Sequence, residues 1–300
     1  MPLAHRLGSF AQDRIAFMGH ATVLIELDGV RLLTDPLLRD RVAHLRRQTP
    51  PVDQERISGV DAVLLSHLHR DHLDLASLRL LGRGVPLLAP SGAGAWLGRR
   101  GFTHVSELRV GEATNVGRLA VNAVKAQHDG RRHPGGRRAE TLGYLVRGSR
   151  TIYFAGDTEL FNGMTDLGSG GGSEPVARAS ERTSASRASG AFRLDVALVP
   201  VAGWGPRLGP GHMDPLQAAR AVALLAPRLA VPIHWGTLLP LGGARRHRDL
   251  LHDPPRLFAR HVARLAPDVE VRVLAPGQEI ALPPISPSIS RATPSGRPPD

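Results

Sequence analysis

The strongest constraint on this chain is seven residues long. Ser66-His67-Leu68-His69-Arg70-Asp71-His72 follows the apolar run Ala62-Val63-Leu64-Leu65 and packs three histidines and an aspartate into six positions. A short unbroken apolar run reads as a strand covered on both faces, so the cluster belongs to a loop at a strand end that leads into the helical spacing of Leu73 to Leu81. On extended backbone His67 and His69 point the same way. Asp71 and His72 follow where the chain turns and can face a second point in space. Imidazoles and carboxylates gathered like this are divalent-metal ligands, and the spacing suits two adjacent ions better than one.

The 300 residues include no cysteine, which removes disulfide frameworks, zinc-thiolate sites, iron-sulfur clusters and thiol nucleophiles. Any metal must be held by histidine and carboxylate. The formal charge of +11 invites a nucleic-acid reading, yet only one of the 38 cationic residues is lysine (Lys125) and aromatics are 4%, too few for a base-stacking platform. Arginine pairs such as Arg99-Arg100, Arg137-Arg138 and Arg245-Arg246 read as solvated faces. No stretch approaches the roughly 18 apolar residues of a membrane span, and the start Met1 to Arg14 lacks the apolar core of a secretion signal. A cytoplasmic protein without stable membrane insertion is expected.

Alternating apolar positions at Val23, Ile25 and Leu27, then Asp28-Gly29, then Val30 and Leu32 predict a hairpin, since type I′ turns need positive φ at both central residues. A second antiparallel set is expected from Leu119 to Lys125, Leu142 to Val146 and Thr151 to Phe154, and buried strands at Val196 to Val199 and Leu229 to Val231. Helical spacing recurs at Leu216 to Leu225, opened by the capping pair Asp214-Pro215, and at Leu257 to Leu265, where Leu257, Phe258, His261 and Leu265 oppose Arg256, Arg260 and Arg264. That last helix is expected to pack on a sheet. The Gly/Ser/Arg-rich stretch 168–190 reads as a mobile surface insertion, and the Pro/Ser-rich stretch 286–300 as a disordered tail beyond a single domain over 1–285. Interleaved strands and helices without a repeat predict a layered α/β sandwich.

The cluster resembles the His-X-His-X-Asp-His motif of the metallo-β-lactamase superfamily. Further positions match in order: Asp35 in Leu33-Thr34-Asp35-Pro36, His128 in Ala126-Gln127-His128, Asp157 in Ala155-Gly156-Asp157-Thr158, and His234 in Ile233-His234-Trp235-Gly236. The resemblance implies an α/β (α+β) fold, a four-layer αββα sandwich of two mixed β-sheets flanked by helices. It implies that His67, His69 and His128 bind one ion, that Asp71, His72 and His234 bind another, and that Asp157 bridges. Asp35 would then orient a ligand from behind. Gly19-His20-Ala21-Thr22 and Gly211-His212-Met213-Asp214-Pro215 look like the branch containing ascorbate-6-phosphate lactonase and N-acyl phosphatidylethanolamine phospholipase D.

A dinuclear hydrolase is therefore expected, cleaving a phosphodiester or a lactone or ester bond of a small anionic substrate with a metal-bound hydroxide. Paired cations lower the pKa of a shared water from near 16 toward about 7. Asp71 would take the proton and His212 would serve as a second catalytic group. Arg131 and Arg132, in a glycine-containing loop after His128, are candidates for substrate binding. Zinc (Zn2+) is the first expectation for these donors, with Mn2+ or Fe2+ as alternatives. The competing class is a nucleic-acid-processing or nucleic-acid-binding protein of the same fold, and a homo-oligomer is allowed by the composition.

Overall fold

A computed structural model describes residues 12–133, 135–170, 194–205, 207–243 and 246–283. Two seven-stranded sheets dominate it, with a third of three strands. The first sheet runs Glu279–Ala281, Arg14–Gly19, Thr22–Leu27, Val30–Thr34, Ala62–Leu64, Leu87–Pro90, Val105–Leu108 across its width. It is antiparallel as far as Val30–Thr34 and parallel thereafter. The second sheet runs Glu270–Val271, Leu229–Ile233, Val196–Pro200, Thr151–Phe154, Leu142–Arg147, Leu119–Lys125, Ala113–Val116. Its first four strands are parallel and the others antiparallel. The small sheet joins Leu238–Pro240, Leu45–Arg47 and Arg41–Val42.

Sequence alternation decides the layers. Leu32, Ala62 and Leu64 face the same core as Tyr144, Phe154 and Leu198 of the other sheet, whereas Val63 and Leu87, one residue out of phase, face a separate core. That outer core is roofed by helices α1 (Leu75–Leu81) and α2 (Gly94–Gly98). A short helix α3 (Met164–Gly168) and the longer α4 (Pro215–Leu225) and α5 (Asp253–Leu265) add Met164, Ala218, Val222, Phe258 and Val262 to the continuous buried cluster that includes both faces of the second sheet. Strands buried on both faces explain why the sequence shows apolar runs there and not a strict alternation. Helix, sheet, sheet, helix is the expected four-layer order.

Local signals work as their chemistry dictates. Leu27 pairs with Val30 across Asp28 (φ 52°) and Gly29 (φ 78°), the two positive angles of a type I′ turn. Asp214 accepts from Gln217 N at 2.8 Å and Gln217 Oε1 accepts from Asp214 N at 3.0 Å, closing a capping box on α4. Two helices differ from expectation. α1 begins at Leu75, not Leu73, because Asp74 is its cap and accepts from Ser77 N. α5 begins at Asp253, since Pro254 and Pro255 fall in the first turn, where a missing N–H costs nothing. Its buried face is Pro254, Pro255, Phe258 and Val262, while Leu257 and Leu265, expected on that face, are 42% and 45% exposed. Apart from its first residues, the expected insertion at 168–190 lies outside the described residues, as does the expected tail at 286–300. No described helix is long and apolar enough to cross a membrane.

Candidate metal centre

Each candidate side chain leaves the end of a strand. Asp35 follows Val30–Thr34, the His67–His72 loop follows Ala62–Leu64, His128 follows Leu119–Lys125, Asp157 follows Thr151–Phe154, and His234 follows Leu229–Ile233. Carboxyl ends of parallel strands are where open α/β sheets collect their ligands. Three of the residues there hold backbone conformations that non-glycine residues seldom adopt: His20 (φ 56°), Asp35 (φ 32°) and His234 (φ 63°). Neighbours enforce them. His234 N donates to His20 O at 2.7 Å, His20 N donates to Thr237 Oγ1 at 2.7 Å, and Asp35 N donates to Leu64 O at 3.0 Å.

One set of rings is His67, His69 and His128. His69 Nδ1 lies 2.9 Å from His67 Nε2 and 3.0 Å from His128 Nε2. Outward, His128 Nδ1 donates to Gly211 O at 2.8 Å. A carbonyl can only accept, so the inner nitrogen of His128 carries a lone pair. Gly211 has φ +78°, and a Cβ there would sit 2.6 Å from His128 Nδ1, so only glycine permits that approach. Ser66 Oγ donates to Asp35 Oδ2 at 2.5 Å and thus accepts from His67 Nδ1 at 2.9 Å, turning the inner nitrogen of His67 into a lone pair as well.

The second set is His20, Asp71, His72 and His234, its three rings buried and Asp71 largely so. His72 Nε2 and His234 Nε2 face each other at 3.2 Å. Behind them, His72 Nδ1 donates to Asp35 Oδ2 and His234 Nδ1 donates to Ala202 O, each at 2.7 Å. Between the sets stands Asp157: Oδ2 is 3.0 Å from His72 Nε2, 3.4 Å from His212 Nε2 and 3.9 Å from His67 Nε2, and Oδ1 is 3.2 Å from His234 Nε2. Oδ1 of Asp157 is buried without a hydrogen-bond partner.

These groups fit divalent ions. Inward lone pairs at such separations repel unless a cation lies among them, and the donors of a tetrahedral site with bonds of about 2.0–2.1 Å are roughly 3.3 Å apart. Burial and neighbouring histidines hold His67 and His234 well below the ordinary imidazole value, and burial with the adjacent His128 brings His69 down to about 4. Neutral imidazole is the form that ligates. His72 is the exception: burial would lower it, but Asp157 and Asp71 outweigh this and hold it well above the ordinary imidazole value, so its proton must leave before it binds an ion. Burial would push the carboxyls of Asp157 and Asp71 up, but His234 and His72 around the former, and His72 and His20 around the latter, hold both well below the usual carboxylate range.

Among the other expected residues, His212 reaches the site, with its ring centre 4.7 Å from that of His128 and Nδ1 donating toward Gly209 O and Pro210 O at 3.1 and 3.2 Å. Burial works against its protonation, and the Asp157 contact outweighs this and raises its pKa. Arg131 is exposed and its backbone bridges Arg138. Arg132, expected toward substrate, points instead at the backbone of the histidine loop, donating from one guanidinium nitrogen to Leu68 O at 2.8 Å and Leu73 O at 3.1 Å. One residue escaped the sequence reading as a site member: His20, whose Nε2 is 3.0 Å from Asp71 Oδ2 and whose ring centre is 4.0 Å from that of His234. Its only signal was the Gly19-His20-Ala21-Thr22 turn, taken as a family feature without a role.

The model of the beta-lactamase superfamily domain matches residues 30–172 and 181–235, which carry every candidate ligand except His20. The chain belongs to that superfamily. A UPF0173 metal-dependent hydrolase from Methanopyrus kandleri is 30% identical over 272 residues, covering 88% of this chain and 98% of that protein. An N-acyl-phosphatidylethanolamine-hydrolyzing phospholipase D of Caenorhabditis elegans is 30% identical over 248 residues, 75% of this chain and 64% of that one. Igni18, a metallo hydrolase of the archaeon Ignicoccus hospitalis, shares the fold with a TM-score of 0.65 at 23% identity, over 90% of this chain and 98% of that one. The chain thus has the metallo-β-lactamase fold and carries a His/Asp cluster able to hold metal, and the Methanopyrus relative it matches over nearly its whole length is named a metal-dependent hydrolase.

Proposed function

We propose that the protein is a dinuclear hydrolase of a phosphodiester or a lactone or ester bond in a small anionic substrate. His67, His69 and His128 hold one ion, and Asp71, His72 and His234 hold the other. Asp157 is shared, and Zn2+ is the expected metal. The reading rests on one observation: inward ring nitrogens 2.9–3.2 Å apart, with the outer nitrogens of His67, His128, His72 and His234 pinned, beside the unpartnered Oδ1 of Asp157. A relative that hydrolyses N-acyl-phosphatidylethanolamine supports the phosphodiester arm.

When bound, the ions supply Lewis acidity and make water a nucleophile near neutral pH. The chain supplies the rest. Asp35 fixes the ring of His72 and, through Ser66, that of His67. Asp71 is kept ionised and accepts the proton of the attacking water, with His20 holding its Oδ2. His212, whose pKa the Asp157 contact raises against its burial, donates to the oxygen on which charge develops.

Elemental analysis of the purified protein, coupled to a hydrolysis panel of bis(p-nitrophenyl) phosphate, simple lactones and aryl esters, tests the reading. Two ions per chain with turnover in one class is the expected result. A protein that retains no divalent metal, or retains two and turns over none of the panel, overturns it.

A further inference from the structure

Arg132 lies behind the candidate metal centre. A single guanidinium nitrogen of this residue reaches both Leu68 O and Leu73 O. Leu68 separates His67 from His69, and Leu73 follows His72, so the two carbonyls bracket the ligand-bearing loop. The side chains of both leucines are fully buried in the outer core together with Trp96, whose ring centre is 4.6 Å from the guanidinium carbon of Arg132. The loop is therefore gripped by packing through its side chains and by Arg132 through its backbone.

The other end of Arg132 is equally fixed. Arg132 N donates to Arg137 O at 2.9 Å, Arg131 bridges Arg138, and Ala139 N donates to Gly130 O at 3.1 Å. This small hairpin starts just after His128 and ends just before Thr141, whose hydroxyl donates to His128 O at 3.2 Å. Arg132 thus connects the segment that carries His128 to the loop that carries His67 and His69. Its charge is held at a cost: burial first, and the nearby Arg70 and Arg100, bring its pKa down to about 10. A partly buried cation kept among other cations, with one guanidinium nitrogen given to two backbone carbonyls of the ligand loop, has a positional task.

We propose that Arg132 is a positioning residue that sets the spacing of the His67–His72 loop against His128 and so governs how tightly metal is retained, without touching substrate. The inference rests on the dinuclear reading above. It would place the specificity for an anionic substrate elsewhere and give the Arg132 and Trp96 pair a role in metal retention.

Arg132→Met keeps an unbranched side chain and removes the donors together with the guanidinium over Trp96. Arg132→Lys restores one cationic nitrogen, which is all that the two carbonyls use. The measurements are Zn2+ affinity by competition with a chromophoric chelator, the melting temperature of chelator-treated protein, and KM and kcat for bis(p-nitrophenyl) phosphate with Zn2+ saturating. We expect Arg132→Met to lose about 10- to 100-fold in Zn2+ affinity, Arg132→Lys to stay within about threefold of wild type, and KM to be unchanged in both. Unchanged affinity in Arg132→Met overturns the inference. So does a raised KM at unchanged affinity, which makes Arg132 a substrate contact, or an equal loss in Met and Lys variants that tracks the melting temperature, which makes it merely structural. If Arg132→Met does not fold, Arg132→Gln carries the same comparison. Wild-type protein that binds no Zn2+ refutes the metal reading itself.

Discussion

The two candidate ligand sets are built differently. His67, His69 and His128 are three imidazoles, two of them only partly buried, while in the other set the rings of His20, His72 and His234 are all buried and the carboxylate of Asp71 is 13% exposed. The first set is pinned outward by a serine hydroxyl and a glycine carbonyl. The second is pinned by a buried carboxylate and a carbonyl, on backbone that sits at positive φ at His20 and His234. One half of the site can yield to solvent, and the other is part of the core. A defect in the first should cost metal; one in the second should cost metal and fold.

The largest expected effect abolishes the distinction. Asp157→Ala removes the group between the sets, and metal analysis should fall from two ions per chain to one or fewer; unchanged stoichiometry would show that the sets are independent of Asp157. Next, His72→Ala leaves Asp35 buried without its ring partner, and should destabilise the chelator-treated protein by about 3 kcal/mol, against under about 1 kcal/mol for His69→Ala. Equal losses in urea titrations of the two variants would erase the contrast drawn here. His20→Ala should lower affinity for the second ion about tenfold while the first stays, read by stepwise metal titration. The smallest effect belongs to a position outside both sets: Asp74→Ala uncaps α1 and breaks the pair with Arg39 at 2.7 Å, lowering stability by about 1 kcal/mol with metal content unchanged. Lost metal in that variant would mean that α1 and the histidine loop act as a unit.

Much of this was legible in advance, for reasons particular residues show. Asp28-Gly29 specified its hairpin because both residues tolerate positive φ, and Asp214-Pro215 specified the start of α4 because cap and first-turn chemistry are local. The histidine loop was legible because four ligand residues, three histidines and an aspartate, crowd six positions. Less local features were not. The buried face of α5 turned on Pro254 and Pro255, whose helical role depends on where the helix begins. The strand Leu238–Pro240 pairs with Leu45–Arg47 from far along the chain, a register no nearby pattern encodes.

What the sequence by itself determined is the inventory: which side chains can ligate, the absence of cysteine, and the order of strands that end beside each ligand. Tertiary structure alone decided how they are used. His20 comes to Asp71 from 51 positions away, and Arg132 reaches the carbonyls of Leu68 and Leu73 from 64 and 59 positions away, because the aim of a side chain is fixed by what packs around its backbone. Ligand identity is a local property of residue type, whereas the direction of a lone pair depends on the partner that holds the other side of the ring.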